Sequence, residues 1–484
     1  MVLAARFRNW WRAGRDPLAR IGGAITIAAL GILIGVQYMK PDKRMLGVMA
    51  AAVLFGVTWR VDTLSGIGLL IIAIPYPRGT VFGSSNFAFV LLLMMIWLLR
   101  VTQRRSPPPR RTPVDFAIGG LVLAYVISFY NIDNLNSLKY ALESTELFAV
   151  SLLMFYMLVS NVRNEADFER LQVFQAISLT TILLLAVFEL NHPGGAFIRG
   201  WIEFGQTVGT EMNTRNVRVG GAFYDFELLS EFCALNTLLV GFMILRARSF
   251  YRRLALSGLL ALDIFVLFTT LTRGAVIALS LGLVYLLFRI RRRVNIVALT
   301  IAGASIGGTA ILMNYAVANF TRSGNLGARL RQTRFLGIIP DDRVRPWMDG
   351  WTRFLEHPLI GHGPFYSAMT GTHRWYWPHN GYLLVANYVG SVGLGFFLAL
   401  LFTMLAISSR GGDDLRHPSY ARAYLLIAHV QLVTFMIDEL KIEYLRNPTY
   451  QFEVWLMFAM LVAAYRVAFP PSGQGSAAIV RAAA

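Results

Sequence analysis

Residues 380–407, NGYLLVANYVGSVGLGFFLALLFTMLAI, carry no charged side chain. A bilayer core accepts about 20 apolar residues of helix, so this stretch is long enough to span one. Further apolar runs fall near 21–39, 45–59, 62–76, 84–101, 114–130, 139–160, 169–190, 223–245, 254–271, 273–290, 294–313, 421–440 and 449–468. The second and third of these are short and fit either two full spans or a re-entrant pair. The pattern predicts an all-α polytopic transmembrane helical bundle of about 12–14 spans.

Composition points the same way. The chain has 484 residues, 56% of them hydrophobic and 15% charged, with a mean hydropathy of +0.53. Soluble domains average about 25% charged. The single cysteine, Cys233, excludes an intramolecular disulfide framework and a cysteine-cluster metal site. The net charge of +18 lies in short arginine clusters between apolar runs, which is how a membrane protein fixes its orientation rather than how a chain binds nucleic acid.

Residues 1–20 form a basic segment ahead of Ile21 to Met39, a run that lacks a small-residue cleavage site and reads as an uncleaved span. Placing the N-terminus in the cytoplasm puts Arg100 to Arg111, Arg246 to Arg253 and Arg289 to Arg293 on the inner side, with the larger share of all Lys and Arg. Both termini are then cytoplasmic. Spans fill 21–313 and 380–468, the tail 469–484 reads as disordered, and no internal repeat is visible. Two external segments interrupt the short connections: 191–221, and a long loop at 314–379 near the C-terminal third. Loops longer than about 12–15 residues are usually functional or disordered. The second is rich in aromatic residues, which argues against disorder, and within it Arg345 to Glu356 fits a helix lying along the membrane surface.

That loop holds His357, His362, His373 and His379. It also holds Arg322, Arg329, Arg331, Arg334, Arg343, Arg345, Arg353 and Arg374 against only Asp341, Asp342, Asp349 and Glu356. A basic excess outside the membrane fits either a solvated face near anionic head groups or a site for a multiply charged anion, which the guanidinium fork grips in pairs. Arg218 and Arg273 fall on the same side, each beside glycine, and read either as snorkelling interfacial arginines or as part of that anion site. His379 sits where the loop meets the membrane, as a structural group or as a base near neutral pH. Asp341-Asp342 and Asp413-Asp414 lack histidine at metal-ligand spacing, so no metal site is expected, and no phosphate-binding glycine loop is present. No cofactor is expected.

The same residues carry a resemblance. His379-Asn380, followed by Gly390-Ser391-Val392-Gly393, is similar to the His-Asn…Gly-x-x-Gly signature of bacterial O-antigen ligases. His357-Pro358-Leu359-Ile360-Gly361-His362-Gly363, behind Trp351, resembles the stretch that precedes that signature. Thr272-Arg273-Gly274 resembles the family's Ser/Thr-Arg-Gly turn, and Arg218-Val219-Gly220-Gly221-Ala222-Phe223 its Arg-x-x-Gly-x-Phe segment. Together they span roughly 215–405 in the family's order. A count of up to fourteen spans exceeds the family's usual twelve.

The resemblance implies an inner-membrane enzyme of the O-antigen ligase/polymerase family, with loop 314–379 periplasmic. It implies inverting, metal-independent transfer of a glycan from undecaprenyl diphosphate to a glycan or lipid A–core acceptor. Under it, Arg218, Arg273, Arg343 and Arg345 would hold the diphosphate, and His379 would orient or deprotonate the acceptor hydroxyl. Asn380, Trp375 and Trp377 would contact glycan or acceptor, although an aromatic belt at the interface explains the tryptophans equally well. A transporter or flippase of the same lipid-linked glycan is the rival reading. It calls for ionisable residues inside spans, where Glu189, Asp263 and Asp438-Glu439 are the candidates. A structural scaffold is the third reading, and it leaves the external arginines unexplained.

Overall fold

Aspartate, asparagine and serine open most of the well-defined helices, because their side-chain oxygens accept the first orphaned N–H groups. The computed structural model describes residues 59–74, 85–132, 135–191, 218–223, 225–292, 295–321, 326–331, 335–336, 339–364 and 377–470. The spans expected at 21–39 and over most of 45–59, most of the 191–221 segment, and the tail beyond residue 470 lie outside them. The chain divides into two compact units, Met1–Pro108 and Pro109–Ala484.

In the first unit, α1 (Thr63–Ala73) starts on Asp62, whose carboxylate accepts from Ser65 N at 3.2 Å. At 1.5 Å per residue α1 is about 16 Å long, roughly half a hydrocarbon core. Helix α2 (Ser85–Thr102) returns Arg100 to the start of α1, where its guanidinium donates to the Trp59 and Val61 carbonyls at 2.9 and 2.7 Å.

The second unit is the bundle. Its helices are α3 (Asp115–Ser128), α4 (Leu135–Asn161), α5 (Glu165–Asn191), α6 (Phe226–Arg246), α7 (Phe250–Thr269), α8 (Arg273–Ile290) and α9 (Ile296–Phe320), then the short α10 (Leu326–Arg331). After a two-residue antiparallel pair, β1 (Phe335–Leu336) with β2 (Ile339–Pro340), come α11 (Asp341–Glu356), α12 (Gly381–Ser409), α13 (Tyr420–Asp438) and α14 (Pro448–Ala468). Seven helices among the described residues are long and apolar enough to cross a membrane. The architecture is an all-α polytopic bundle. Helices α6, α13 and α14 form its centre, where Tyr424, Trp455 and Phe458 are buried, and α12 packs on α3 and α13.

One end of this unit gathers the N-termini of α6, α8, α12 and α14, and the residues singled out in the sequence lie there. The opposite end is laced by arginine. Arg246 donates to the His417 carbonyl at 3.0 Å, Arg410 to the Tyr465 hydroxyl at 2.8 Å, and Arg289 pairs with Asp413 at 2.5 Å. These clusters are the ones the positive-inside reading assigns to a single face.

Helix α11 crosses the start of α12. Gly350 lies so close to α12 that a Cβ there would be 2.7 Å from Leu383, and its carbonyl accepts from Asn387 Nδ2 at 3.1 Å. The outer face of α11 presents Met348, Trp351 and Leu355, all exposed, as a helix lying along a membrane surface would.

Helix α12 is broken at Gly390 (φ 68°, ψ −173°), a conformation open essentially only to glycine. The break receives residues 357–363. His362 N and Gly363 N donate to the Asn387 and Tyr388 carbonyls at 2.8 and 3.0 Å, and Ser391 N donates to the Pro358 carbonyl at 2.8 Å. Two motifs distant in sequence thus interlock through backbone. A Cβ at Gly390 would lie 2.1 Å from the Leu359 carbonyl oxygen, whereas one at Gly395 meets nothing within 4 Å. Gly390→Ala should therefore cost about 1–3 kcal/mol in backbone strain alone and lower the thermal midpoint of the solubilised protein. Gly395→Ala should leave the midpoint within error, and equal midpoints for the two variants would refute this role of Gly390.

Candidate functional site

The site is built around one carboxylate, that of Glu227, two residues into α6. Asp225 caps this helix, its Oδ1 accepting from Glu227 N and Leu228 N at 2.8 and 3.3 Å. The cap fixes Glu227 at a helix N-terminus, where the macrodipole favours negative charge. Three basic groups converge on it: Arg343 of α11 at 2.5 Å, Arg446 at 3.3 Å and His379 Nδ1 at 3.7 Å. Arg446, on the turn before α14, also pairs with Asp225 at 2.8 Å. Burial alone would lower the Arg446 pKa, but Asp225 and Glu227 outweigh it and raise the value.

His379 stands at the end of the loop with φ 51°, a left-handed conformation costing a non-glycine residue about 1–2 kcal/mol. Its carbonyl accepts from Trp347 Nε1 at 3.2 Å, and the next amide, Asn380 N, donates to Glu443 at 3.2 Å. Asn380 caps α12 by accepting from Leu383 N at 3.0 Å. Trp377 stacks near Arg446, 5.9 Å from its guanidinium. Trp375 lies outside the described residues.

Arg218 is 8% exposed. Its guanidinium lies over the Phe226 ring at 3.1 Å, and Nε donates to the Thr270 carbonyl at 2.9 Å. The 218–223 segment is held from below by Glu189, which accepts from Gly221 N at 2.7 Å, and from above by Asn447 Nδ2, which donates to the Phe223 carbonyl at 2.6 Å. Arg273 opens α8 beyond the turn, where Leu271 has φ 53°. Gly274 beside it leaves room for Lys441, whose Cδ would lie 1.8 Å from any Cβ at that position. Thr272 ties the turn to α6 through the Phe226 carbonyl at 3.3 Å. Arg218, Arg273, Arg343, His379 and Asn380 therefore share one end of the bundle. Arg345 points elsewhere: its side chain is 92% exposed and pairs with Asp349 at 3.8 Å.

Asp225, Glu227, Glu443 and Arg446 were not singled out from sequence. Their signal was present in Asp225-Phe226-Glu227, directly after the Arg218 segment, and in the dense charge of Asp438 to Arg446. The intramembrane candidates have local partners. Asp263 accepts from Thr237 Oγ1 at 2.8 Å, and Asp438 pairs with Lys441 at 3.0 Å. His362 Nε2 donates to the Arg353 carbonyl at 2.8 Å, and burial lowers its pKa. Among the described residues no group of three or more His, Cys, Asp or Glu is placed to hold a metal ion.

A multi-pass membrane bundle with a basic, histidine-bearing site at one end is the class that fold and geometry define. Residues 238–398, about a third of the chain, match the family model described as O-antigen ligase, and over that stretch the chain is similar to that family. The match takes in Arg273, Arg343, His379 and the Gly390 break. No curated protein matches the chain.

Removing a buried ion-pair partner typically costs about 3–5 kcal/mol, because the opposite charge is left desolvated. Glu227→Ala should lower the thermal midpoint far more than Arg345→Ala, whose side chain is already in solvent; the reverse order would contradict the assignment. The Glu443 pKa is raised by burial from 4.5 to about 7, although Arg446 and the Asn380 amide pull it down. A carboxyl whose pKa is raised on folding contributes stability below pH 4.5 and loses it as pH rises through about 7. Glu443→Gln should therefore raise the thermal midpoint at pH 8 relative to wild type and leave it little changed at pH 4.5, read by unfolding scans across that range.

Proposed function

We propose that this protein is a glycosyltransferase of the O-antigen ligase/polymerase kind. It moves a glycan from undecaprenyl diphosphate onto an acceptor hydroxyl at the periplasmic face of a bacterial inner membrane. The observation that supports this most directly is the convergence of His379, Arg343 and Arg446 on Glu227, at the end of the bundle that also carries Arg218 and Arg273.

In this reading the acceptor oxygen attacks the anomeric carbon on the face opposite the diphosphate. The bond from that carbon to the phosphate oxygen breaks, and its electron pair leaves with undecaprenyl diphosphate. Configuration inverts. Charge grows on the leaving group, and Arg218, Arg273 and Arg343 are the groups that stabilise it, helped by the N-termini of α6 and α8. His379 takes the hydroxyl proton as oxygen attacks, a contribution typically about 10²–10⁴-fold. Asn380 and Trp377 border the acceptor side. The residues themselves supply the charge and the base, without a metal or nucleotide. Whether the product is ligated onto lipid A–core or polymerised depends on the acceptor, and both outcomes share this chemistry.

The test is complementation of a deletion in the host with wild type, His379→Ala, Arg218→Ala or Arg273→Ala at matched membrane expression. Surface polysaccharide and lipid-linked intermediate are resolved together. Each variant should lose the product while intermediate accumulates on the periplasmic side. Long chains left on the carrier would identify a ligase, and single repeat units a polymerase. Accumulation on the cytoplasmic side would favour the flippase reading, and normal glycan in all three variants would sink the proposed site.

A further inference from the structure

Apart from the site around Glu227, a small cavity of 30 Å³ lies inside the bundle between α5, α6, α13 and α14. Its polar lining is Gln175, Asn236, Gln431, Tyr450 and Glu453. Gln431 lies seven residues before the end of α13, so the cavity sits about 10 Å below the site end, within the span. The amide orientations follow from their donors. Gln431 Nε2 donates to the Leu235 carbonyl at 2.8 Å, and Asn236 Nδ2 donates to the Phe232 carbonyl at 2.9 Å. Turning the Gln431 amide over would forfeit its backbone bond, so its oxygen is the atom left for the cavity.

Gln431 and Tyr450 are 4% and 1% exposed. The Tyr450 hydroxyl turns its hydrogen toward the Glu231 carboxyl, which leaves its lone pairs for the cavity, and the buried atoms Gln431 Oε1, Gln175 Oε1 and Glu453 Oε1 have no hydrogen-bond partner among the described residues. No charged group among them acts on the Glu453 carboxyl. The lining therefore presents amide, phenol and carboxyl oxygens, and it carries one carboxyl in a span, where ionisable groups ordinarily have a partner. Three orphaned oxygens and a phenol lone pair around a space the size of one water fit a ligand that brings positive charge. One carboxylate balances one charge, and a divalent cation would want more.

We propose that this cavity is a binding site for a monovalent cation of the size of Na⁺, held by Glu453 with the Gln175, Gln431 and Tyr450 oxygens. The ion joins four helices directly beneath the glycan-transfer face. A protonated Glu453 sharing the cavity with water is the competing state, and Na⁺ binding displaces that proton.

The test uses the full-length protein in nanodiscs at pH 8, in NaCl or in N-methyl-D-glucamine chloride at equal ionic strength. Dicyclohexylcarbodiimide labelling of Glu453 is followed by peptide mass. Na⁺ at ten times its Kd should slow labelling about tenfold by mass action and raise the thermal midpoint saturably. Glu453→Gln should abolish the Na⁺-dependent rise. Labelling rates and midpoints that are equal in the two salts would overturn the proposal in favour of a protonated carboxyl with water only. A Na⁺ shift that survives Glu453→Gln would place the ion elsewhere and overturn it equally. Because labelling is read on the wild type, poor folding of the variant leaves the test intact, and neither readout depends on glycan transfer.

Discussion

The Glu227 carboxylate ties together parts of the chain that lie far apart in sequence. Taking a carboxylate out of water costs several kcal/mol, and good geometry with several partners is what offsets it. Arg343 and Arg446 supply that offset from 116 and 219 residues away, and His379 approaches the same oxygen that Arg446 takes. The surface helix α11, the start of α12 and the turn before α14 are thereby drawn onto the N-terminus of α6. Basic side chains that would otherwise sample many rotamers are ordered before any donor arrives, which lowers the entropy cost of gripping an anion.

The irregular backbone at this end obeys a second constraint. Near a membrane, peptide groups that leave a helix must find partners within the protein. Carboxyl groups supply them here. Glu189 accepts from Gly221 N, Glu443 from Asn380 N, and Glu439 from Tyr444 N at 2.9 Å. Of the ionisable residues that a transport reading would assign to a conduction path, Glu189 and Glu439 are in this way engaged in holding loops, while Asp263 and Asp438 pair with Thr237 and Lys441. Glu453 Oε1, beside the cavity, has no hydrogen-bond partner among the described residues.

Much of this was legible in the sequence. Apolar run length marked the helices, and the motif segments led to Arg218, Arg273 and His379 because glycine and histidine beside a span have few other uses. Arg343 and Arg345 show where that reading lacked resolution. Two residues apart on a helix turning about 100° per residue, they point to opposite sides, so only one can reach Glu227. Choosing between them needed the phase of α11, which Gly350 sets by packing on Leu383. Glu227 and Arg446 are harder to read for another reason: they stand in charged stretches without a periodic signal, and which charges pair is fixed only by long-range packing.

The placement of His379 follows from its backbone rather than from its ring. A left-handed histidine is strained, and Trp347, donating to its carbonyl, and Glu443, accepting from the next amide, hold it there. The imidazole then lies 3.7 Å from Glu227, beyond hydrogen-bond length. At that separation the contact with the carboxylate is one of charge rather than a hydrogen bond. If His379 is the base proposed above, the carboxylate beside it would stabilise its protonated product form. The flanking Arg343 and Arg446 limit the effect, since they draw on the same negative charge. In the proposed mechanism a diphosphate that competes for Arg343 would leave more of the Glu227 charge facing the histidine.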